Sequence, residues 1–313
     1  PPPPTPPPLN LRRQRQMCIR DRSIRIESVE YGQIGMPHFT TCYEWRRGDG
    51  SHLTGYSARR GADYLLRFPQ QASFLIRPGG VIRCAQEEGG TPELVRQLLL
   101  NQVLPRYLAH IGELLLHASA VTLPNGKTVA FLGESGRGKS TLASYCHRQG
   151  AHFIDDDCIM LRFSDEGVDI TGGVPTIRLH PDSLRALGHD DSAFRPYLDY
   201  SDKQQMRLPI DASAGLGPRR LHALILLGDP LPDGLGEAVR VVAASGQEAV
   251  ITAINSSFSL DPTDDETKAR IFTQVGQLVS GQPGVYSLHY PRDHDSLARV
   301  YEALLAIPLT EVL

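Results

Sequence analysis

The run Gly133-Glu134-Ser135-Gly136-Arg137-Gly138-Lys139-Ser140 constrains what this chain can fold into more than any other segment. It meets the pattern G-x-x-x-x-G-K-[ST] at every position. Such a run belongs at one kind of junction, where a buried strand ends, turns through glycines and re-enters as a helix. The glycines let successive backbone N–H groups point inward, and the helix that follows adds the positive end of its dipole, so the turn is built to hold phosphate oxygens. Lys139 supplies a mobile cation for β and γ phosphates, and the Ser140 hydroxyl is a ligand for Mg2+. The flanks agree. Thr128 to Leu132 is an apolar strand that runs into Gly133, and Lys139 to Gln149 reads as a helix closed by Gly150. Gly133, Glu134, Ser135, Gly136, Arg137, Gly138, Lys139, Ser140 and Thr141 are therefore the expected nucleotide-binding residues.

The rest of the chain reads as support for that loop. Strands and helices alternate from Glu113 onward, which indicates α/β architecture. Glu113 to Leu123 reads as one apolar strand, joined through Pro124-Asn125-Gly126 to the strand that feeds the loop; Asn-Gly between two such runs is a hairpin signal. Before it, Thr91-Pro92-Glu93 starts a helical stretch with a kink or break at Pro105. Residues 23 to 83 carry short strands divided by Gly48-Asp49-Gly50 and Pro78-Gly79-Gly80. Met17-Cys18-Ile19-Arg20-Asp21-Arg22, behind a proline-rich start, resembles the in-frame translation of a sequencing adapter. The expected organisation is a non-native or disordered tail over 1–22, a small β-rich portion with a helical connector over 23–112, and a P-loop domain over 113–313.

Other residues carry chemistry around the loop. Asp155-Asp156-Asp157 follows the strand His152-Phe153-Ile154, about 17 residues beyond Lys139. Adjacent carboxylates repel one another, so such a run needs a reason; Mg2+ coordination is one and deprotonation of an attacking hydroxyl is another. A solvated turn is the bland alternative. His117 lies on the strand that pairs with the one feeding the loop, which makes it either a catalytic or phosphate-contacting residue or a satisfied core histidine. Arg178 and Lys203 are candidate clamps on substrate or phosphate, or solvated surface charges.

Three stretches together resemble the catalytic domain of HPr serine kinases: Leu115-Leu116-His117-Ala118-Ser119-Ala120-Val121, the loop Gly133 to Thr141, and Gly150-Ala151-His152-Phe153-Ile154-Asp155-Asp156-Asp157. Ile177 to Leu184 and Tyr286 to Asp293 look like the HPr-kinase-related branch that includes kinases of peptide biosynthesis clusters, such as those acting on lasso-peptide precursors. The resemblance implies a phosphoenolpyruvate-carboxykinase-like P-loop fold, Asp156 as general base toward a serine hydroxyl, and Asp157 with Ser140 at the metal. It stops short in places. Thr141 stands where HPr kinases carry Glu, and no Glu-Ile-Arg-Gly-Leu-Gly segment or large regulatory N-terminal domain is present. Neither HPr as acceptor nor a phosphorylase reaction is implied.

The expected activity is that of an ATP- and Mg2+-dependent kinase acting on a serine of a protein or peptide, with Lys139, Asp156 and His117 as catalytic residues. A nucleotide-binding switch or scaffold without phosphotransfer, and a small-molecule kinase, stay open as other classes. The net charge of −3 gives no electrostatic case for nucleic acid or a membrane surface. The five cysteines are never spaced as a CxxC pair, so neither a zinc site nor a disulfide framework is indicated. With no signal-peptide pattern in sight, a cytoplasmic location is expected, and a homo-oligomer is compatible with the sequence.

Overall fold

Two units make up the chain in the computed structural model: Pro1–Ile111 with Ser259–Lys268, and Gly112–Phe258 with Ala269–Leu313. The structure describes residues 15–19, 22–35, 38–46, 52–173, 175–198, 201–209, 217–229, 239–281 and 283–308. The Gly48-Asp49-Gly50 turn and the proline-rich start lie outside them.

The first unit is a sheet built from β1 (Arg15–Ile19), β2 (Arg22–Ser28), β3 (Thr40–Arg46), β4 (Leu53–Arg60), β5 (Asp63–Phe68), β6 (Ala72–Arg77) and β7 (Val81–Gln86). Its order is β1-β2-β7-β6-β5-β4-β3, and every pairing is antiparallel except β2 with β7. Side chains alternate across it, so Ala58, Leu65, Leu75 and Ala85 share one buried face with Ile34. The helical stretch is α1 (Pro92–Leu98), a π-helical turn over Leu99–Val103, and α2 (Leu104–His110). Thr91 caps α1 by accepting from the Leu94 N–H. Pro105 stands just beyond the π-helical turn, and the backbone stays helical at the junctions on both sides of that turn, so the stretch runs on through it without a break.

Within the expected tail 1–22, Arg15–Ile19 is a strand paired with Arg22–Ile26. Segment Ser259–Lys268 groups with the first unit, and within it Asp261 and Asp264 place their carboxylates 3.9 and 3.8 Å from the Arg59 guanidinium.

The second unit holds β8 (Leu114–Leu116), β9 (Ser119–Thr122), β10 (Thr128–Leu132), α3 (Lys139–Arg148), β11 (His152–Asp156), β12 (Ile159–Ser164), β13 (Gly167–Thr171), β14 (Thr176–Leu179), α4 (Pro181–Ala186), β15 (Arg195–Leu198), β16 (Ser201–Arg207), β17 (Arg219–Arg220), β18 (Ala223–Leu227), β19 (Arg240–Ala243), α5 (Gly246–Asn255), β20 (Gly284–His289) and α7 (Leu297–Ala306). Helix α6 (Asp265–Ser280) begins in the segment assigned to the first unit and continues into the second. The central sheet runs β11-β9-β10-β18-β20-β19, with β10, β18 and β20 mutually parallel and β9 antiparallel to both neighbours. Two smaller sheets, β17-β13-β12-β8 and β14-β16-β15, accompany it. The result is a mixed α/β architecture.

Period-two alternation explains the layering. Val129, Phe131, Ile225 and Leu227 face a core completed by Leu142, Ala143 and Cys146 of α3 and Val300 and Leu304 of α7. Ala130, Leu132, Leu224 and Leu226 face the opposite core, with β8, β12 and β13 and with Ala249, Ala253, Val275 and Leu278 of α5 and α6. A central parallel strand covered on both faces has to be apolar throughout, and β18 is.

The apolar run read as one strand, Glu113 to Leu123, is two. Leu114–Leu116 pairs with β12, while Ser119–Thr122 pairs with β10 and β11 in another sheet. The break falls at His117-Ala118. No helix among the described residues is long and apolar enough to cross a membrane.

Candidate phosphate-binding and phosphotransfer site

Strand direction gathers the site. The C-terminal ends of β10, β11, β18 and β20 and the N-terminal end of β9 all lie at the same end of the central sheet. Gly133, Asp156-Asp157, Gly228, Tyr290 and His117-Ser119 therefore meet there. Open α/β sheets place ligands beyond the carboxyl ends of their strands for the same reason.

The glycine loop has the backbone that a phosphate cradle needs. Gly133, Gly136 and Gly138 have φ of 149°, 83° and 92°, conformations that side chains resist. A Cβ on Gly133 would stand 2.9 Å from the Leu227 carbonyl oxygen, and one on Gly138 would stand 3.3 Å from the Tyr290 hydroxyl. Gly138 leads directly into α3, whose N-terminus opens on the loop. Lys139 is 6% exposed and folds back, its Nζ donating to the Gly133 and Glu134 carbonyls at 2.7 and 3.1 Å. Burial, reinforced by the charge of Lys203, pulls its pKa down to about 8, against the pull of Asp156 and Asp157. An ammonium sheltered this way gains from the arrival of phosphate oxygens.

The acidic run is divided by its surroundings. Asp155 and Asp156 belong to β11 and are buried. Asp155 accepts from the backbone N–H groups of Asp156 (2.7 Å) and Gly173 (2.5 Å). Burial pushes it up to about 7, opposed by Arg178 and those two donors. Asp156 is 1% exposed; its Oδ1 accepts from the Ser119 hydroxyl at 2.6 Å and its Oδ2 from the Arg178 N–H at 3.1 Å. Burial and the neighbouring Asp157 charge raise its pKa.

Asp157 differs. Its φ is 115°, a strained value for a residue with a side chain, and its carboxylate lies 3.3 Å from Arg178 Nε. Burial alone would push it up, but Arg178, followed by His117, Lys203 and Lys139, outweighs burial and holds it below the usual carboxylate range. His117 sits beside it, with Nδ1 2.8 Å from the Asp157 carbonyl oxygen, so Nδ1 carries the proton when the ring is neutral. Burial lowers the His117 pKa despite the nearby carboxylates.

The remaining candidates fall in place. Arg178 on β14 is buried, and Nη1 donates to the Asp156 carbonyl. Lys203 on β16 is half-buried and lines the same cleft as Lys139, Ser140, Thr141 and Arg178. Thr141 Oγ1 is 3.1 Å from Ser183 Oγ. Glu134 and Arg137 turn toward the other side of the loop, where Arg137 also meets Asp229 at 2.7 Å.

Sequence reading missed Ser119, two residues after His117, which anchors Asp156. It also missed Tyr290 and Arg292: Arg292 stacks over the Tyr290 ring at 4.2 Å from its centroid and donates to the Gly228 carbonyl at 2.7 Å, bracing the rear of the loop. No local signal marks these roles, since each depends on a partner far along the chain.

The donor set fits a nucleotide with its metal. Among the described residues no three or more His, Cys, Asp or Glu group to hold an ion by themselves. Mg2+ is commonly bound through one or two protein oxygens together with substrate phosphates and water, and the cleft that holds Lys139 is also lined by Ser140.

No family model matches the chain, and no curated protein does. Among solved structures it is similar to the HPr(Ser) kinase/phosphatase from Coxiella burnetii, with 13% identity and a TM-score of 0.31 over 61% of this chain and 93% of that one. A TM-score that low does not establish a shared fold.

Proposed function

We propose that this chain is an ATP- and Mg2+-dependent kinase that transfers the γ-phosphoryl group to a serine hydroxyl of a protein or peptide, on a phosphoenolpyruvate-carboxykinase-like P-loop scaffold. One observation carries the reading. A glycine-built loop with a sheltered lysine shares its cleft with Arg178 and Lys203, and a strained, ionised aspartate lies within electrostatic reach of that lysine.

In this reading Lys139 and the loop N–H groups hold the β and γ phosphates, and Ser140 would hold Mg2+ with the phosphate oxygens. The metal supplies charge neutralisation on the transferring group. The resemblance to HPr serine kinases implies proton transfer to Asp156 and metal contact at Asp157. Arg178, with His117, Lys203 and Lys139, holds Asp157 ionised against burial, so the acceptor proton is assigned to Asp157, with Asp156 positioning it. As the serine oxygen bonds to the γ phosphorus, the bond to ADP breaks and the proton passes to Asp157. Lys203 and Arg178 offset charge on the transferring group.

Titration calorimetry with MgATP tests the first half: Lys139→Ala should lose binding or weaken it strongly. Transfer from radiolabelled ATP tests the second: Asp157→Asn should lose at least 100-fold in turnover while ATP binding stays within a few-fold. Unchanged turnover in Asp157→Asn removes that carboxylate from the mechanism. MgATP binding with no transfer to any serine substrate supports a switch module instead.

A further inference from the structure

His117 and Ser135 are walls of two clefts, and the clefts have opposite charge. One, of about 110 Å3, holds Lys139, Ser140, Arg178 and Lys203. The other, of about 300 Å3, lies between Gly133-Glu134-Ser135 and helix α5. Its charged lining is Glu134, Asp229 and Glu248 against a single guanidinium, Arg137. Arg137 is already engaged by Asp229 at 2.7 Å and Glu134 at 3.1 Å. Glu248 accepts only the Ser287 hydroxyl at 2.9 Å and has no cation partner among the described residues.

Glu248, Ile251, Thr252 and Asn255 line this second cleft from one face of α5, as spacings of three, four and seven residues require. Ile251 is 51% exposed there, an apolar side chain turned to solvent beside polar neighbours. In-line phosphoryl transfer needs the attacking and leaving oxygens on opposite sides of the phosphorus. The two clefts adjoin at His117 and Ser135, so a group held in one has the other beside it. The polyphosphate belongs in the cationic cleft, since three carboxylates repel it from the other.

We propose that the α5 cleft is the acceptor cleft and that it selects a peptide whose serine is flanked by arginine or lysine, with an apolar side chain set against Ile251. This rests on the kinase reading above and narrows its substrate. The carboxylates exclude acidic and phosphorylated acceptors, while the exposed isoleucine favours a peptide over a small polar alcohol.

The test is fluorescence anisotropy with the full chain loaded with MgAMP-PNP and three labelled undecapeptides, identical but for arginine, alanine or glutamate on either side of the central serine. The arginine peptide should bind at least tenfold tighter than the glutamate peptide, and transfer from MgATP should follow the same order. Glu248→Gln, which keeps the shape of the side chain, should cut the arginine preference several-fold with MgATP affinity held. Equal affinities, a preference for glutamate, or no peptide binding while MgATP binds normally would overturn the assignment. Absence of MgATP binding by the unaltered chain defeats the kinase reading instead, and this inference with it.

Discussion

Alanine at the three loop glycines should do graded damage, and the grading follows from what surrounds each. At Gly136 the only obstacle is the backbone: φ is 83° and an added Cβ meets nothing within 4 Å. Holding a non-glycine residue in the left-handed region costs roughly 1–2 kcal/mol, equivalent to about a 5–30-fold loss if it falls on the phosphate-binding conformation. At Gly138 the same kind of strain is joined by the Tyr290 hydroxyl at 3.3 Å, the end of a side chain that can yield slightly. At Gly133, with φ of 149°, the Cβ would lie 2.9 Å from the Leu227 carbonyl oxygen and 3.2 Å from its Cβ. Leu227 is 3% exposed and ends a central strand, so it has nowhere to retreat. Overpacking of roughly 1–3 kcal/mol then adds to strain of similar size. MgATP calorimetry at 10 °C together with thermal melting separates these cases. Gly136→Ala should weaken binding with little change in melting, whereas Gly133→Ala should lose binding and also melt lower. A Gly133→Ala protein that binds and melts like the unaltered chain, or a Gly136→Ala protein that is the more damaged, would refute the reasoning.

In the first unit, Glu87 accepts from Arg67 Nε (2.8 Å) and Nη2 (3.0 Å), the Gln70 N–H (3.0 Å) and the Ser73 hydroxyl (2.6 Å). Burial opposes the charge, but Arg67, Ser73 and Gln70 prevail and depress its pKa. Glu87→Gln should destabilise by roughly 2–3 kcal/mol at neutral pH, a buried-pair loss reduced because Arg67 is 28% exposed. With a depressed folded pKa, that difference is present above the unfolded value and should vanish as pH falls through the folded one, which denaturant titrations along a pH series would show. Asp155 has the opposite sign: raised to about 7 by burial, it contributes stability below its unfolded pKa that is lost as pH rises through 7. Asp155→Asn should flatten the stability profile between about pH 4 and 7, and an unchanged slope in denaturant titrations would count against the burial argument. Ser119→Ala removes one donor from the buried Asp156 and should cost about 1–3 kcal/mol together with a fall in phosphotransfer, checked by melting and transfer assays; full activity would show that Asp156 does not depend on that anchor.

Legibility in the sequence followed the range of the interaction. The glycine loop, its feeding strand, the Asn125-Gly126 hairpin and α3 were legible because each is specified within a few residues. The split of the apolar run was not. Leu114, Leu115 and Leu116 carry nothing that tells them from Ala120 and Val121; they join different sheets because Ile159–Leu161 pairs with the first set and the β10 and β11 strands with the second. The division of labour within Asp155-Asp156-Asp157 was hidden for the same reason. Mutual repulsion argued for a strand that stops before the run, yet β11 continues through Asp156, because Ser119, Gly173 and Arg178 bring donors from distant segments. Ser259–Lys268 likewise lies inside the expected 113–313 domain, and nothing near it in sequence signals that Arg59 brings its charge to Asp261 and Asp264.

The broken strand and the strained aspartate are one feature of the fold. β9 and β11 pair up to Ser119 opposite Asp156, and β8 and β12 resume with Leu116 opposite Ile159. Both chains therefore leave the central sheet and enter the smaller one at the same level. The residues that make the transfer are His117 and Ala118 on one chain and Asp157 and Cys158 on the other. A chain that changes sheets within two residues must turn sharply. On one side the turn is taken at Asp157, with its φ of 115°, and the Asp157 N–H donates to the Ala118 carbonyl at 3.2 Å. On the other, the His117 N–H donates to the Ser256 carbonyl at 2.6 Å, which aims the ring back at the Asp157 carbonyl. Glycine would hold the Asp157 position without strain, whereas aspartate there costs roughly 1–3 kcal/mol. Attraction to Arg178, Lys203 and Lys139 offsets that cost only while the carboxylate is ionised. The corner thus couples the backbone turn to the charge state of a carboxylate that acts on the loop lysine. That coupling gives the corner a use beyond joining two sheets.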